Sequence, residues 1–343
     1  MSASAYAATL LLGFGLSWLL TAVLRRYALS HDLLDRPNAR SSHSVSTPRG
    51  GGVAIVASFL LLALALGIAG VVSRELVIAT CGAGLLVALL GFVDDHSQVR
   101  ARWRFTGHAA AAAWVVWWMG PIPPVPLFGT PVALGVAGLL LSGFYLTWMV
   151  NLFNFMDGID GLAAAEAITV SLSGALLWWF TGGGTGWILA VAFAACVGGF
   201  LIWNFPRARI FMGDAGSGFL GMVLGLLSLW CGQAAPHLFW AWFILIGCFM
   251  VDGTTTLVRR VLRHQKFNEA HRSHGYQYAA RRAGRHVPVT LAIGAINLAW
   301  LLPLAACVAW RRLDGLTGVA IAYAPLLWLA FHFKAGAREL QPE

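Results

Sequence analysis

Four polar residues at even spacing, Asn151, Asn154, Asp157 and Asp160, close a long apolar run in the stretch N-L-F-N-F-M-D-G-I-D-G-L, residues 151–162. One charged side chain in hydrocarbon costs about 2.5–3.5 kcal/mol on insertion scales, so these groups belong at a water interface. If the segment stays helical, steps of three keep all four near one face, drifting by about 60° per step. Gly158 and Gly161 add backbone freedom and exposed N–H groups beside the acids, which suits a polyphosphate and its metal. A polar loop that caps two helices would explain a lone Asp-Gly pair, but not four oriented polar groups.

Four further stretches carry the same kind of residue. In G-F-V-D-D-H-S-Q-V-R-A-R-W-R the adjacent carboxylates Asp94 and Asp95 repel each other near a helix C-terminus, so a divalent cation or Arg100, Arg102 and Arg104 must hold them ionised. In W-N-F-P-R-A-R-I-F-M-G-D-A-G-S-G, Asn204 and Asp214 bracket Arg207 and Arg209. Magnesium takes one or two carboxylates together with substrate phosphates, and Asp214 among glycines fits that role, while Phe211 offers a ring to stack on a base. In E-A-H-R-S-H-G-Y-Q, His271 and His274 are placed on one helical face with Arg272 beside them, as donors to pyrophosphate or proton exchangers near neutral pH. The loop D-R-P-N-A-R-S-S-H-S-V-S-T-P-R-G-G-G supplies Arg36, Arg40, His43 and Arg49, with glycines at a helix start that present N–H groups to an anion. Each has a plainer reading as a helix-end turn, an interfacial anchor or a surface loop. Glu166 and Asp252 are read first as structural groups inside the bundle.

The elements that must position these residues are membrane helices. The chain has 343 residues, 59% hydrophobic and 11% charged, with sixteen Trp and a mean hydropathy of +0.73. That composition excludes a soluble globular domain. Apolar runs predict an all-α polytopic membrane protein of about eleven helices, near 4–24, 52–72, 76–93, 106–120, 132–150, 162–180, 186–203, 216–231, 238–257, 288–309 and 316–333. Twenty of the Lys and Arg fall in loops on one side and three on the other. By the positive-inside rule the first side is cytoplasmic, the N-terminus periplasmic and the C-terminus cytoplasmic. M-S-A-S-A-Y-A lacks the basic start of a signal peptide, so the first run reads as a retained span.

All the unusual polar groups collect on the cytoplasmic side, in loops near 25–51, 94–105, 151–161, 204–215 and 258–287, which form the expected active site of a single membrane domain, 1–343. The formal charge of +9 is spread between spans and indicates no nucleic acid. Five Cys in apolar runs indicate neither disulfides nor zinc.

In this order, Asp94-Asp95, N-x-x-N-x-x-D-G-I-D-G-L, F-M-G-D-x-G-S and a late His motif resemble the polyprenyl-phosphate N-acetylhexosamine-1-phosphate transferases. That family includes the phospho-N-acetylmuramoyl-pentapeptide transferases and the enzymes that initiate O-antigen. The first loop and H-R-S-H-G-Y-Q look most like the O-antigen branch. The resemblance implies transfer of a sugar phosphate from a UDP-N-acetylhexosamine to undecaprenyl phosphate in the bacterial inner membrane, with magnesium, or manganese in its place.

It further implies metal on Asp214 and Asp157; Asp157, Asp160, Asn151 and Asn154 at the nucleotide and its metal-bound phosphate; Asn204 and Phe211 at uracil; Asp94 and Asp95 facing the lipid phosphate; and His271, Arg272 and His274 at pyrophosphate or sugar. A homodimer is compatible with the family. Two departures stand out: Gln98 replaces a basic residue of several relatives, shifting a lipid-phosphate contact to Arg100 or Arg49, and Arg272-Ser273 interrupts a run of histidines. The rival readings are a peptidoglycan lipid I-type transferase, a transporter of an anionic or lipid-linked substrate, and a CDP-alcohol phosphotransferase, whose compact D-G-x-x-A-R motif D-G-I-D-G-L-A-A does not match.

Overall fold

A computed structural model describes residues 3–37, 45–97, 99–127, 130–182, 184–265 and 271–337. The helices in chain order are α1 (Ala3–Ser30), α2 (Gly52–Ile68), α3 (Arg74–Ser97), α4 (Ala101–Met119), α5 (Gly135–Met156), α6 (Leu162–Phe180) and α7 (Trp187–Asn204). Then follow α8 (Asp214–Ala234), α9 (Pro236–Leu245), α10 (Gly247–Leu262), α11 (Gly275–Ala283), α12 (Val287–Ile296), α13 (Leu302–Ala309) and α14 (Gly315–His332).

Each of the eleven expected apolar segments falls on helix, one of them in two pieces. Among the described residues eight helices are long and apolar enough to cross a membrane, or nine if one bent pair is a single span. The protein is therefore a multi-pass, all-α membrane protein. α2 has 17 residues, short for a span. α4 opens on Arg102, Arg104, Thr106 and His108, so only its second half is apolar.

The bent pair corrects one expectation. The span near 238–257 is not one helix but α9 and α10, turned by 70° at Ile246. A break at this depth frees N–H groups that hydrocarbon cannot satisfy. Buried Glu166 on α6 takes a hydrogen bond from the backbone of Phe249 in the first turn of α10. It also accepts one from Asn297 at 2.6 Å, where the next span passes through a π-helical segment, Asn297–Leu301.

The packing centre is α8, buried along almost its whole length. Small residues allow backbones to approach closely where no hydrophobic effect drives helices together. A methyl at Gly216 would stand 2.6 Å from the Gly52 Cα, which fixes the crossing of α2 and α8. A short antiparallel pair, β1 (Leu34–Asp35) with β2 (Thr47–Pro48), folds the first loop back. Phe211 N–H donates to Pro48 at 2.7 Å, and Gly51 N–H to Phe211 at 2.9 Å, stitching that loop to the approach of α8.

Candidate active site

The ends of α3 and α5 and the start of α8 meet, and the polar residues of the motifs converge there. α5 ends at Met156, so Asp157 and Asp160 lie in the turn beyond it and the four-residue stretch does not form one helical face. Asn154, on the last turn, donates to Asp214 Oδ1 at 2.8 Å and to Ser217 Oγ at 3.2 Å. Asn151 donates to the Thr147 carbonyl and faces His108 across 3.5 Å.

The adjacent aspartates part company. Asp95 accepts from the backbone N–H groups of Asp214 (3.2 Å) and Ala215 (3.4 Å), capping the N-terminus of α8 where a negative charge is favoured. Gly213, at φ +78°, makes room for it, since a Cβ there would lie 2.7 Å from Asp95 Oδ2. Arg49 donates to the Asp95 carbonyl, bringing the first loop onto the site. Asp94 turns the other way, to Arg104 at 2.6 Å and the Val99 N–H at 2.7 Å. Arg104 lies 3.9 Å from Asp214.

Two chambers result. The first, about 280 Å³, is lined by Asp35, Arg49, Asp95, Asn154, Asp157, Asp160, Asn204, Phe211, Asp214, Ser217 and His286. The second, about 410 Å³, combines Asp94, Arg104, His108, Asn151, His271 and His274 with an apolar wall of Leu90, Phe105, Val150 and Phe155. Asn154, Gly158, Asp214 and Gln277 border both. Arg272 lies apart, in a small annex of about 210 Å³ with Arg281, Arg285 and His286. Arg40, His43 and Gln98 lie outside the described residues.

Asn204 is buried and spends both ends of its amide on backbone: Oδ1 accepts from Gly161 N–H and Nδ2 donates to the Ile210 carbonyl, each at 2.9 Å. Phe211 lines the first chamber.

His271 and His274 do not share a helical face as expected. His271 precedes α11 and His274 caps it, with the rings stacked at 5.0 Å. Burial, with His274 and Arg260 nearby, lowers His271 to about 3. At neutral pH it is a neutral imidazole whose Nδ1 meets Ser273 Oγ at 3.0 Å. Asp252 on α10 accepts from Gly275 N–H (2.9 Å) and Tyr276 N–H (2.8 Å), so the structural reading of Asp252 includes holding the His motif.

Among the described residues no three Asp, Glu, His or Cys converge as a protein-only metal cage. Burial and the carboxylates of Asp214, Asp95 and Asp160 push the Asp157 carboxyl well above its ordinary range. Acids that repel around an open cavity fit a divalent cation completed by substrate phosphates, the arrangement magnesium prefers.

Sequence reasoning missed His286, His108 and Ser217 and left Arg104 as a neutraliser. His286 Nδ1 lies 3.2 Å from Asp160 Oδ1. Nothing in the spacing of residues 160 and 286 announces that contact. His108 and Ser217 stand one helical turn past Arg104 and three residues past Asp214, which was the signal available for them.

Residues 77–232 match the family described as Glycosyl transferase family 4. The chain is 31% identical over 261 residues to a probable undecaprenyl-phosphate N-acetylglucosaminyl 1-phosphate transferase of Bacillus subtilis, covering 75% of this chain and 72% of that protein. It is 33% identical over 237 residues to a decaprenyl-phosphate N-acetylglucosaminephosphotransferase of Mycolicibacterium smegmatis (63% and 56% covered). A phospho-N-acetylmuramoyl-pentapeptide-transferase of Moorella thermoacetica is 33% identical over 224 residues (61% and 69% covered).

Proposed function

This chain belongs to glycosyl transferase family 4, and from that premise we propose that it transfers N-acetylhexosamine 1-phosphate from a UDP-sugar to undecaprenyl phosphate, releasing UMP. The product would initiate O-antigen or a related surface glycan. The observation that carries the reading is the pair of chambers meeting at Asn154 and Asp214: one polar and acidic, the other joining a guanidinium to an apolar wall. A soluble dianion and a lipid-borne anion require those two surfaces, brought together at one point. The twenty-to-three bias of basic residues supports placing this end of the bundle at the cytoplasmic face of the bacterial inner membrane.

In this reading the donor nucleotide occupies the first chamber, its base stacked on Phe211. Asn204 shapes that seat by tying Gly161 to Ile210. Asp214 and Asp157 would hold magnesium, which supplies charge neutralisation to the donor diphosphate. Asp160 and Asn154 keep the acidic turn and the start of α8 in register, and Asp95 caps α8. The acceptor phosphate lies against Arg104 and His108 in the second chamber, with its prenyl chain along Leu90, Phe105 and Val150. Neutral His271 lies on the acceptor side as a hydrogen-bond partner, and Asp94 orients Arg104.

An acceptor phosphate oxygen attacks the β-phosphorus of the donor. The bond from that phosphorus to the bridging oxygen breaks, and the electron pair leaves with UMP. The second pKa of a phosphomonoester is about 6, so the acceptor is largely dianionic at pH 7 and demands little of a general base. In-line positioning and charge neutralisation supply the rate.

The test is UMP release by purified protein with undecaprenyl phosphate, magnesium and a donor panel spanning UDP-N-acetylhexosamines and UDP-N-acetylmuramoyl-pentapeptide. Lipid-dependent release that disappears in Asp214→Ala and Asp157→Ala supports the reading and names the donor. Substrate-driven flux in proteoliposomes without turnover would replace it with a transporter.

A further inference from the structure

The turn that follows α14 reaches back into the His motif. α14 itself is finished by Lys334 N–H to Phe331 and Ala335 N–H to Ala330. The next N–H, of Gly336, donates to the Ser273 carbonyl at 2.7 Å. Arg259 of α10 and Arg263, which caps its C-terminus, hold the same turn: Arg259 Nη1 donates to the Ala335 carbonyl at 2.5 Å and Arg263 Nη1 to the Gly336 carbonyl at 2.8 Å.

The fit is specific. Ala335 is fully buried, and Thr256, Arg259 and Arg263 recur at the spacing of one helical face. Gly336 has φ +68°, and a methyl there would lie 2.8 Å from the Thr256 carbonyl oxygen. Only glycine satisfies both demands.

Ser273 passes the contact on, because its Oγ lies 3.0 Å from His271 Nδ1. Asp252 already holds the downstream end of the motif through Gly275 and Tyr276. We propose that the turn 334–337 is a positioning element of the site: Gly336 holds Ser273, and through Ser273 sets the ring of His271 in the acceptor chamber. The proposal rests on the placement of His271 at the acceptor given above, and it makes the C-terminal turn part of the machinery although it lies beyond residues 77–232 of the family match.

The experiment compares the full chain with truncations ending at Ala337 and at Phe333 and with Arg263→Met, each with and without His271→Ala. The chain ending at Ala337 keeps the full rate. The chain ending at Phe333 and Arg263→Met lose about ten- to a hundredfold in kcat, since small misplacements of reacting groups cost that much. Donor KM changes by less than about twofold, because ground-state binding of the nucleotide is untouched. Neither variant loses more on the His271→Ala background, as groups acting in one chain are not additive.

Hydrogen exchange of the 271–278 peptide accelerates in both variants while that of α8 is unchanged. Additive losses with His271→Ala, or unchanged exchange at 271–278, overturn the proposal. Should the shorter truncation fail to fold, Arg263→Met decides alone. Absence of UMP release by the full chain would instead refute the transferase reading, and the exchange measurement would still decide the role of the turn.

Discussion

Replacing Arg104 by Gln should raise the KM for the prenyl-phosphate acceptor and leave the KM for the nucleotide donor nearly unchanged. Arg104 holds Asp94 at 2.6 Å and approaches Asp214 to 3.9 Å, so it neutralises one acid and borders the other from the second chamber. A charge-assisted hydrogen bond contributes about 1.5–3 kcal/mol in a protected setting. The Arg104 side chain is 36% exposed while that of Asp94 is 8% exposed, so solvent screening reduces its value to about 1–2 kcal/mol.

The same guanidinium would contact the acceptor phosphate, and losing a bond of similar strength lowers acceptor kcat/KM roughly five- to thirtyfold. Arg104→Lys keeps the charge but not the planar fork, and should recover part of the loss. The assay is initial-rate UMP release with each substrate varied in turn, in detergent of fixed composition. A rise in donor KM with acceptor KM unchanged would refute the assignment of the second chamber to the lipid phosphate.

Asp157→Asn should abolish turnover by at least about a hundredfold, because it removes one of the two carboxylates proposed to hold the metal, yet it should stabilise the metal-free fold. The folded-state pKa of Asp157 is raised by burial and three neighbouring acids, so the folded chain retains a proton that the unfolded chain releases near pH 4. Stability therefore falls as pH rises from about 4 through the folded pKa. Thermal melts in chelator should show this fall in wild type, less of it in Asp157→Asn, and a flattening on addition of magnesium; equal slopes in both proteins would contradict the acid cluster.

His286→Ala should lower donor kcat/KM by about three- to tenfold through loss of its contact with Asp160, with partial recovery in His286→Asn; no change in donor kinetics would remove His286 from the site. Glu166→Leu should lower Tm by several degrees, since Asn297 and the start of α10 lose their buried acceptor, whereas Glu166→Gln keeps an acceptor oxygen and most of the stability. Equal Tm losses in the two variants would show that the oxygen is not what matters.

Class and motifs were legible in the chain because they follow from local physics. Hydrocarbon admits only long apolar helices, and a carboxylate within one is expensive, so Asp94, Asp95, Asp157, Asp160 and Asp214 declared an interface before any packing was known. The same constraint placed every expected span in helix, with the span near 238–257 split into two helices at Ile246. Tertiary structure decided what spacing cannot encode.

Adjacent residues on a helix end point in different directions, so Asp94 and Asp95 serve different chambers. Beside the 70° turn at Ile246, a carboxylate of α6 meets the start of α10 and an amide of the π-helical segment, groups far apart in sequence. Arg104 rather than Arg100 lines the second chamber because α4 turns that residue inward. His286 meets Asp160, and Gly336 meets Ser273, only through the packing of α11, α12 and α14. Side-chain chemistry and apolar length are properties of a segment, whereas which groups share a cavity is a property of the crossings between segments, and those depend on small residues such as Gly52 and Gly216 whose role shows only when the helices are together.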